Sequence, residues 1–338
     1  MQITTLGIDL AKTLFQLHGV DARGHVVLSR RVKRHQVLEV VTRLSPCVIG
    51  MEACASAHYW GRVFEKRGHT VRLMSPKYVK PYVKTNKNDR RDAEAICEAV
   101  SRPTMRFVPI KTVDQTDLQA LHRSRSLLIK TRTAMINQVR GLLGEYGLII
   151  GRSPEQVRPA LVTLLQDEHN GLTMFARETF HELYEQLVDV EGRITKVTAR
   201  LEHVFRAHPV CRKLATVPGI GPLTATALLA AVSQPQMFQN GRHLAAWLGL
   251  VPRHCASGGR TRVAGISKRG NRYLRTLLIH GARAVVQHAD QKADAQGRWM
   301  VELKRRKGTN VAAVAVAHKN ARVVWALLAH DDVYRPSA

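Results

Sequence analysis

Acid is what this chain is short of. Only 26 Asp and Glu stand against 52 Lys and Arg, a formal net charge of +26 at pH 7. That imbalance favours a polyanionic partner, with nucleic acid ahead of a membrane surface. No Cys-x-x-Cys pair occurs among Cys47, Cys54, Cys97, Cys211 and Cys255, and neither they nor the 16 histidines show a structural zinc spacing or a His-Glu-x-x-His motif. Reduced, buried thiols in a cytosolic protein are the expectation. No apolar run approaches a bilayer span and no signal peptide precedes the first apolar segment, so no membrane role is expected.

What is present begins with Gly7-Ile8-Asp9-Leu10-Ala11-Lys12, entered by the apolar run Ile3 to Ile8 and left by Leu14 to Val20. The pattern predicts a strand, a tight turn and a returning strand, with Asp9 near the end of a buried strand. A carboxylate there is costly to bury without a partner; a turn aspartate bonded to its own backbone is the plainer alternative. Strands are predicted at about 2–9, 13–20 and 25–32, the last two joined at Asp21-Ala22-Arg23-Gly24. A helix at about 34–44, a strand through Cys47–Glu52, a helix at about 57–67 and a strand at 70–75 follow. The order β-β-β-α-β-α-β makes a mixed sheet covered by helices, in which Asp9 and Glu52 face each other at one edge.

Asn88-Asp89-Arg90-Arg91-Asp92-Ala93 adds two acids three residues apart, on one face of a helix. Asp89 is also a candidate N-cap, and an ion-paired surface helix is the bland reading. Taken together, the four carboxylates follow the order of ribonuclease H-like nucleases, with an acid on the first strand, one on a central strand and one or two on a late helix. Oxygen ligands suit hard Mg²⁺ or Mn²⁺, and paired ions assist phosphodiester cleavage. Lys77, Lys80, Lys84, Lys87, Arg90 and Arg91, with Tyr78 and Tyr82 between them, suit a nucleic-acid backbone beside that site; a solvated basic loop is the alternative.

Further along, Leu121, Leu128, Met135 and Leu142 recur every seven residues. Phe180, Leu183, Leu187, Val190, Ile194, Val197, Leu201 and Val204 alternate steps of three and four, the pattern of a coiled-coil seam. Gly144, Gly147, Gly151 and Pro154 separate the two helices. Arg123, Arg125, Lys130, Arg132 and Arg140 make the first helix basic, a feature that is usually just solvated. Val217-Pro218-Gly219-Ile220-Gly221-Pro222 resembles the hairpin of helix-hairpin-helix DNA binders, with backbone N–H groups at Gly219 and Gly221 open to an anion; a plain packing corner is the alternative. A helix is predicted at about 242–249. Cys255 to Asn271 reads as a flexible basic loop with Ser257, Arg260, Arg262, Ser267, Lys268 and Arg269, leading into a helix at about 271–288. A buried helix over Val311 to Leu328 closes the chain. The domains expected are 1–105, 106–206 and 207–338.

These motifs resemble, in order, the insertion sequence 110 family of transposases. Gly-Ile-Asp-x-Ala-Lys, the Glu of Gly50-Met51-Glu52-Ala53, and Asp89-x-x-Asp92-Ala93 are similar to its DEDD tetrad. Pro218-Gly-Ile-Gly and Ala256-Ser257-Gly258-Gly259 are similar to its C-terminal signatures, and Ile266-Ser267-Lys268-Arg269-Gly270-Asn271 to the 1111 branch. The resemblance implies a RuvC-like (ribonuclease H-like) α/β domain, a long helical coiled-coil middle and a small, mostly α-helical C-terminal transposase domain. It implies donor and target DNA recombined under the guidance of a structured bridge RNA. Asp9, Glu52, Asp89 and Asp92 would hold metal, and a serine nucleophile would come from the C-terminal loop, Ser257 with Ser267 as the competitor. It further implies a homo-oligomer, dimer to tetramer, with sites shared between subunits, in the bacterial cytoplasm and associated with the nucleoid. Three other readings remain: a RuvC-like junction endonuclease using water, a sugar-kinase or actin-like ATPase, and a non-catalytic RNA-binding scaffold. The ATPase reading lacks a second copy of the hairpin and a Gly-rich adenine site.

Overall fold

The structure is a computed structural model describing residues 2–84, 88–232, 234–257, 260–292, 294–330 and 332–335; over 254–263 it describes the backbone alone. Lys87, Gly258 and Gly259 lie outside the described residues, as do the side chains of Ser257, Arg260 and Arg262. The chain divides into two compact units, Met1–Val113 and Asp114–Ala338.

The first unit is built on a sheet of order β3-β2-β1-β4-β5-β6. Strands β1 (Thr5–Leu10), β2 (Leu14–Val20) and β3 (Val26–Lys33) form an antiparallel meander. Asp21 Oδ1 accepts from the backbone N–H groups of Arg23 and His25 at 2.8 and 2.9 Å, which closes the β2–β3 turn. After helix α1 (Val37–Thr42), β4 (Val48–Glu52) returns parallel to β1; after α2 (Ala57–Glu65), β5 (Thr70–Met74) lies parallel to β4. Short α3 (Pro76–Val79) precedes α4 (Asp89–Val100), and β6 (Phe107–Val108) pairs antiparallel with β5. At two residues, β6 is too short to leave an alternating signature in sequence. Alternation splits the sheet into two faces. Leu6, Ile8, Phe15, Leu17, Ile49 and Met51 are buried with Val37, Val41, Trp60 and Phe64 of α1 and α2. The opposite face carries Gly7, Asp9, Gly50 and Glu52 and receives α4.

Among the described residues the second unit is helical apart from one hairpin. Helices α5 (Val113–Gly144), α6 (Val157–Gln166) and α7 (Met174–Ala207) come first. Phe180, Leu187, Ile194 and Leu201 are buried at seven-residue intervals along α7, while Leu183, Val190, Val197 and Val204 are half-buried. Phe180 and Leu187 cluster with Ile136, Val139 and Leu143 of α5 and Val157 and Leu161 of α6, and Leu201 with Leu118 near the start of α5. The two long helices therefore run antiparallel. On α5 the buried residues are Leu118, His122, Ile136, Val139 and Leu143. The predicted column is not that seam: Leu121, Leu128 and Met135 are half-buried and Leu142 is exposed, because Met135 and Leu142 each stand one residue, about 100° of helix turn, before buried Ile136 and Leu143.

Helices α8 (Pro209–Ala215), α9 (Pro222–Ala231), α10 (Gly241–Trp247), α11 (Arg272–Gln287), α12 (Ala295–Lys307) and α13 (Thr309–Ala329) share one core, with Leu214, Leu228, Leu248, Leu278, Val316 and Val324 buried. One correction concerns apolar length: Thr309–Ala329 does have the length and hydropathy to cross a membrane. Its Ala312, Ala313, Val316, Ala317, Ala321, Val324 and Leu327 are buried in the core of this unit. A second correction concerns the basic loop. Its backbone forms strands β7 (Pro252–Ser257) and β8 (Arg260–Ile266), paired antiparallel up to Ser257 opposite Arg260.

Candidate active site

Two glycines set the distance between sheet and helix. Gly7 and Gly50 are direct neighbours in the β1–β4 register. A Cβ at Gly7 would lie 2.3 Å from the Ala93 carbonyl oxygen, and one at Gly50 would lie 2.9 Å from Val100 Cβ. Only hydrogen at both positions lets α4 lie this close. Two residues on, with the same facing, come Asp9 and Glu52. Ile8 pairs with Met51, so the two carboxylates end adjacent parallel strands, about 4.8 Å apart along the hydrogen-bonding direction. Both are half-buried and both make interactions within the protein. The Cys54 thiol beside them is pushed up from its ordinary pKa, first by burial and then by the charges of Glu52 and Asp9. Cys54 was not singled out in the sequence, and its place in the Glu52–Ser56 turn was the available signal.

Asp92 is half-buried on α4, one turn before Ile96 on the stripe that packs with Met74 of β5. Asp89 goes elsewhere. It is exposed, and the Arg31 guanidinium donates to its carboxylate at 3.3 Å. Arg31 pairs with Gln16, and Gln16 with Asp9, so Asp89 is drawn two strands away from Asp9. The four acids are therefore not gathered. Among the described residues no three Asp, Glu, His or Cys side chains form a group able to hold a metal. Nor is Asp89 the cap of α4: Asn88 accepts from the Arg90 N–H at 3.0 Å, which makes Asp89 the first helical residue. Counted from the Asp21 turn, the antiparallel register would have put Arg30 opposite Gln16; the bulge between Gly19 and Val20 shifts it by one and brings Arg31 into the row of Asp9. His18, opposite Gly7, is buried on the same face with Nδ1 unpartnered among the described residues. Burial lowers its pKa.

Of the predicted phosphate-binding cations here, Lys84 bridges Glu94 at 3.0 Å and Glu98 at 3.9 Å, while Arg90 and Arg91 are exposed at the start of α4. In the second unit, Gly219 has φ +88, and a Cβ there would meet the Gly281 backbone of α11 at 2.9 Å. The turn is further held by the Asn320 amide donating to the Pro218 carbonyl at 2.8 Å. Gly219 thus serves a packing corner, whereas Gly221 is exposed at the N-cap of α9. Past β8 the chain is clamped: Arg275, buried, donates to the carbonyls of Leu248 and Arg269 at 3.0 and 3.1 Å. Lys268 sits at φ +54, and Lys268 and Arg269 are exposed on this fixed turn. The Ser267 hydroxyl is sealed from solvent without a partner among the described residues, and Asn271, not Ser267, caps α11 through the Leu274 N–H at 3.1 Å.

The transposase family of the IS110 DEDD type matches residues 6–148, and a second, described as Transposase IS116/IS110/IS902 family, matches residues 211–298. A probable family 20 transposase of Pseudomonas aeruginosa is 49% identical over 99% of this chain and 100% of its own. The transposase for insertion sequence element IS1111A of Coxiella burnetii is 46% identical over 99% and 92%, and that for IS1328 of Yersinia enterocolitica is 35% identical over 98% and 98%. The DEDD domain implies a ribonuclease H-like fold, divalent-metal chemistry and DNA as substrate. With similarity at this level running from end to end, the chain belongs to the IS110/IS116/IS902 family, and its activity is that of an insertion-sequence DNA transposase.

Proposed function

We propose that this transposase recombines donor and target DNA under the guidance of a structured bridge RNA, through a phosphoserine intermediate on Ser257. The observation that carries the reading is the Gly7–Gly50 row, which seats α4 on the face where Asp9 and Glu52 end adjacent strands. An all-carboxylate donor set fits a hard divalent cation such as Mg²⁺ or Mn²⁺. Asp9, Glu52 and Asp92 would hold it, and Asp89 would join by leaving Arg31, an exposed ion pair of the kind that contributes about 0–1 kcal/mol. When bound, the cation supplies charge stabilisation at the reacting phosphate oxygens.

The serine reading has support from the C-terminal turn. The Ser267 hydroxyl is closed off from solvent, which favours Ser257. In the proposed step the Ser257 oxygen loses its proton and bonds to phosphorus, the bond from phosphorus to a deoxyribose oxygen breaks, and that oxygen leaves as a hydroxyl; a hydroxyl on another strand reverses the exchange. Exposed Lys268 and Arg269, with Arg260 and Arg262 on β8, hold phosphates nearby, as do Lys84, Lys87, Arg90 and Arg91 in the first unit and the Gly221 N–H in the second. The coiled-coil reading belongs to assembly: Leu183, Val197 and Val204 pack against this chain's own clusters, and the face of α7 around half-buried Val190 joins copies into a dimer or tetramer. The three-domain division at 105 and 206, and a cytoplasmic site of action at the nucleoid, are part of the same proposal.

The test is to trap protein–DNA adducts on an RNA-matched substrate with wild type, Ser257→Ala and Ser267→Ala. The adduct is expected to vanish only in Ser257→Ala. Loss in Ser267→Ala alone reassigns the nucleophile. No adduct in wild type that nonetheless cuts DNA favours a water-using endonuclease.

A further inference from the structure

One stripe of α5 lines a cavity of about 370 Å³ in the second unit: Gln119, His122, Arg123, Ser126 and Lys130, faced by Ala227 and Ala231 of α9 and by Asn271 and Tyr273 at the start of α11. Three properties mark it as built for a ligand. First, its floor is fixed. His122 is 4% exposed; Tyr273 Oη lies 3.0 Å from Nδ1, and Nε2 lies 3.1 Å from Thr226 Oγ1, which itself donates to the Pro222 carbonyl at 2.7 Å. With the Thr226 proton so committed, Nε2–H donates to Thr226; burial pulls the His122 pKa down to about 4, which keeps the ring neutral and leaves Nδ1 to accept from Tyr273. Second, no carboxylate lines the cavity among the described residues, while Arg123 and Lys130 stand exposed at its rim. Third, Gln119, Arg123, Ser126 and Lys130 show no hydrogen-bond or ion-pair partner among the described residues, and the Asn271 amide nitrogen is left over from capping.

We propose that this cavity receives a single unpaired nucleotide of the DNA strand being processed. The phosphate lies on Arg123 and Lys130. The base edge meets the amides of Gln119 and Asn271 and the Ser126 hydroxyl, over the His122–Tyr273 floor. Charge and shape select this ligand together. The rim asks for an anion, and the volume falls at the small end of ligand pockets, about 300–1,000 Å³. A duplex cannot enter it, so only a nucleotide out of the stack can. The identity of the polyanion rests on the family's DNA substrate, not on the guide RNA or the serine step.

The experiment measures binding of the full chain to a deoxyoligonucleotide duplex with an unpaired end carrying 2-aminopurine, and to the same duplex blunt. Arg123→Gln/Lys130→Gln removes the rim charge, Ser126→Trp fills the cavity without changing charge, and Arg200→Gln on the exposed side of α7 is the control. Both cavity variants are expected to bind the unpaired end about tenfold more weakly and to lose its fluorescence change, with blunt-duplex binding within twofold of wild type. Arg200→Gln should match wild type on both. An unaltered unpaired-end affinity in Ser126→Trp, with a wild-type melting curve, overturns the proposal. So does an equal loss on blunt duplex, which would make the two cations general DNA contacts, or an effect seen with a ribo-oligonucleotide alone, which would make the ligand RNA. Should Ser126→Trp fail to fold, the rim double variant, altered only at exposed positions, decides.

Discussion

Lowering the pH from 7 to 5 should destabilise the second unit through His122. Burial, and secondarily the Arg125 charge, pulls its pKa from 6.5 down to about 4. Unfolded, the imidazole takes a proton below pH 6.5; folded, it refuses one until about pH 4. The unfolded chain thus binds more protons in that window, so this contribution is whole above pH 6.5 and is lost as pH falls toward 4. At 1.36 kcal/mol per unit the full loss is about 3 kcal/mol, of which about 2 kcal/mol is reached by pH 5. The protein's other lowered histidines, His18, His69 and His318, add losses of the same sign, so the wild-type slope alone is not diagnostic. The comparison is with His122→Gln, which can still hydrogen-bond Thr226 but does not titrate. Urea unfolding followed by tryptophan fluorescence suits this, because Trp247, Trp299 and Trp325 lie in the second unit and Trp60 in the first. The difference between the two proteins should shrink by about 2 kcal/mol from pH 7 to 5. A difference that is flat with pH, or an NMR titration placing the His122 imidazole near 6.5, refutes the assignment.

Other outcomes follow from the same geometry. Gly7→Ala should lift α4 off the sheet and cost about 1–3 kcal/mol, measured by thermal melting, together with a loss of transposition beyond the loss of fold. Asp9→Asn should abolish DNA processing in a plasmid transposition assay and leave RNA binding intact. Leu201→Ala, which empties a fully buried position on α7, should cost about 2–5 kcal/mol in chemical denaturation. Val190→Asp, on that face of α7, should shift the sedimentation velocity of the assembly toward smaller species.

The sheet was legible because its strands carry the information locally. Apolar runs of strand length, the Asp21–Gly24 turn and acids at strand ends gave β1 to β5 and the pairing of Asp9 with Glu52. What stayed hidden depends on distance in the chain. The partner of Asp89 is Arg31, 58 residues away, and no local pattern distinguishes that arginine from its neighbours. The His122–Tyr273 contact spans 151 residues. Helix α12 was missed because its last turn, Lys304 to Lys307, is wholly basic and reads as a solvated segment, while Gln296, Gly297 and Met300 bury its first half. The β7–β8 hairpin reads as loop in sequence because Pro252, Ser257, Gly258, Gly259 and Gly265 punctuate it and no alternating apolar run marks either strand.

The sheet ends in β3 on one side and β6 on the other. An open edge is a template onto which a second chain can add a strand. Here β6 offers only two residues, and β3 carries exposed Arg30, Arg31 and Lys33. Short length at β6 and exposed charge at β3 both disfavour edge-to-edge pairing between copies. The strands that carry Asp9 and Glu52, β1 and β4, lie inside the sheet with both of their edges paired, so the carboxylate pair is kept apart from either open end.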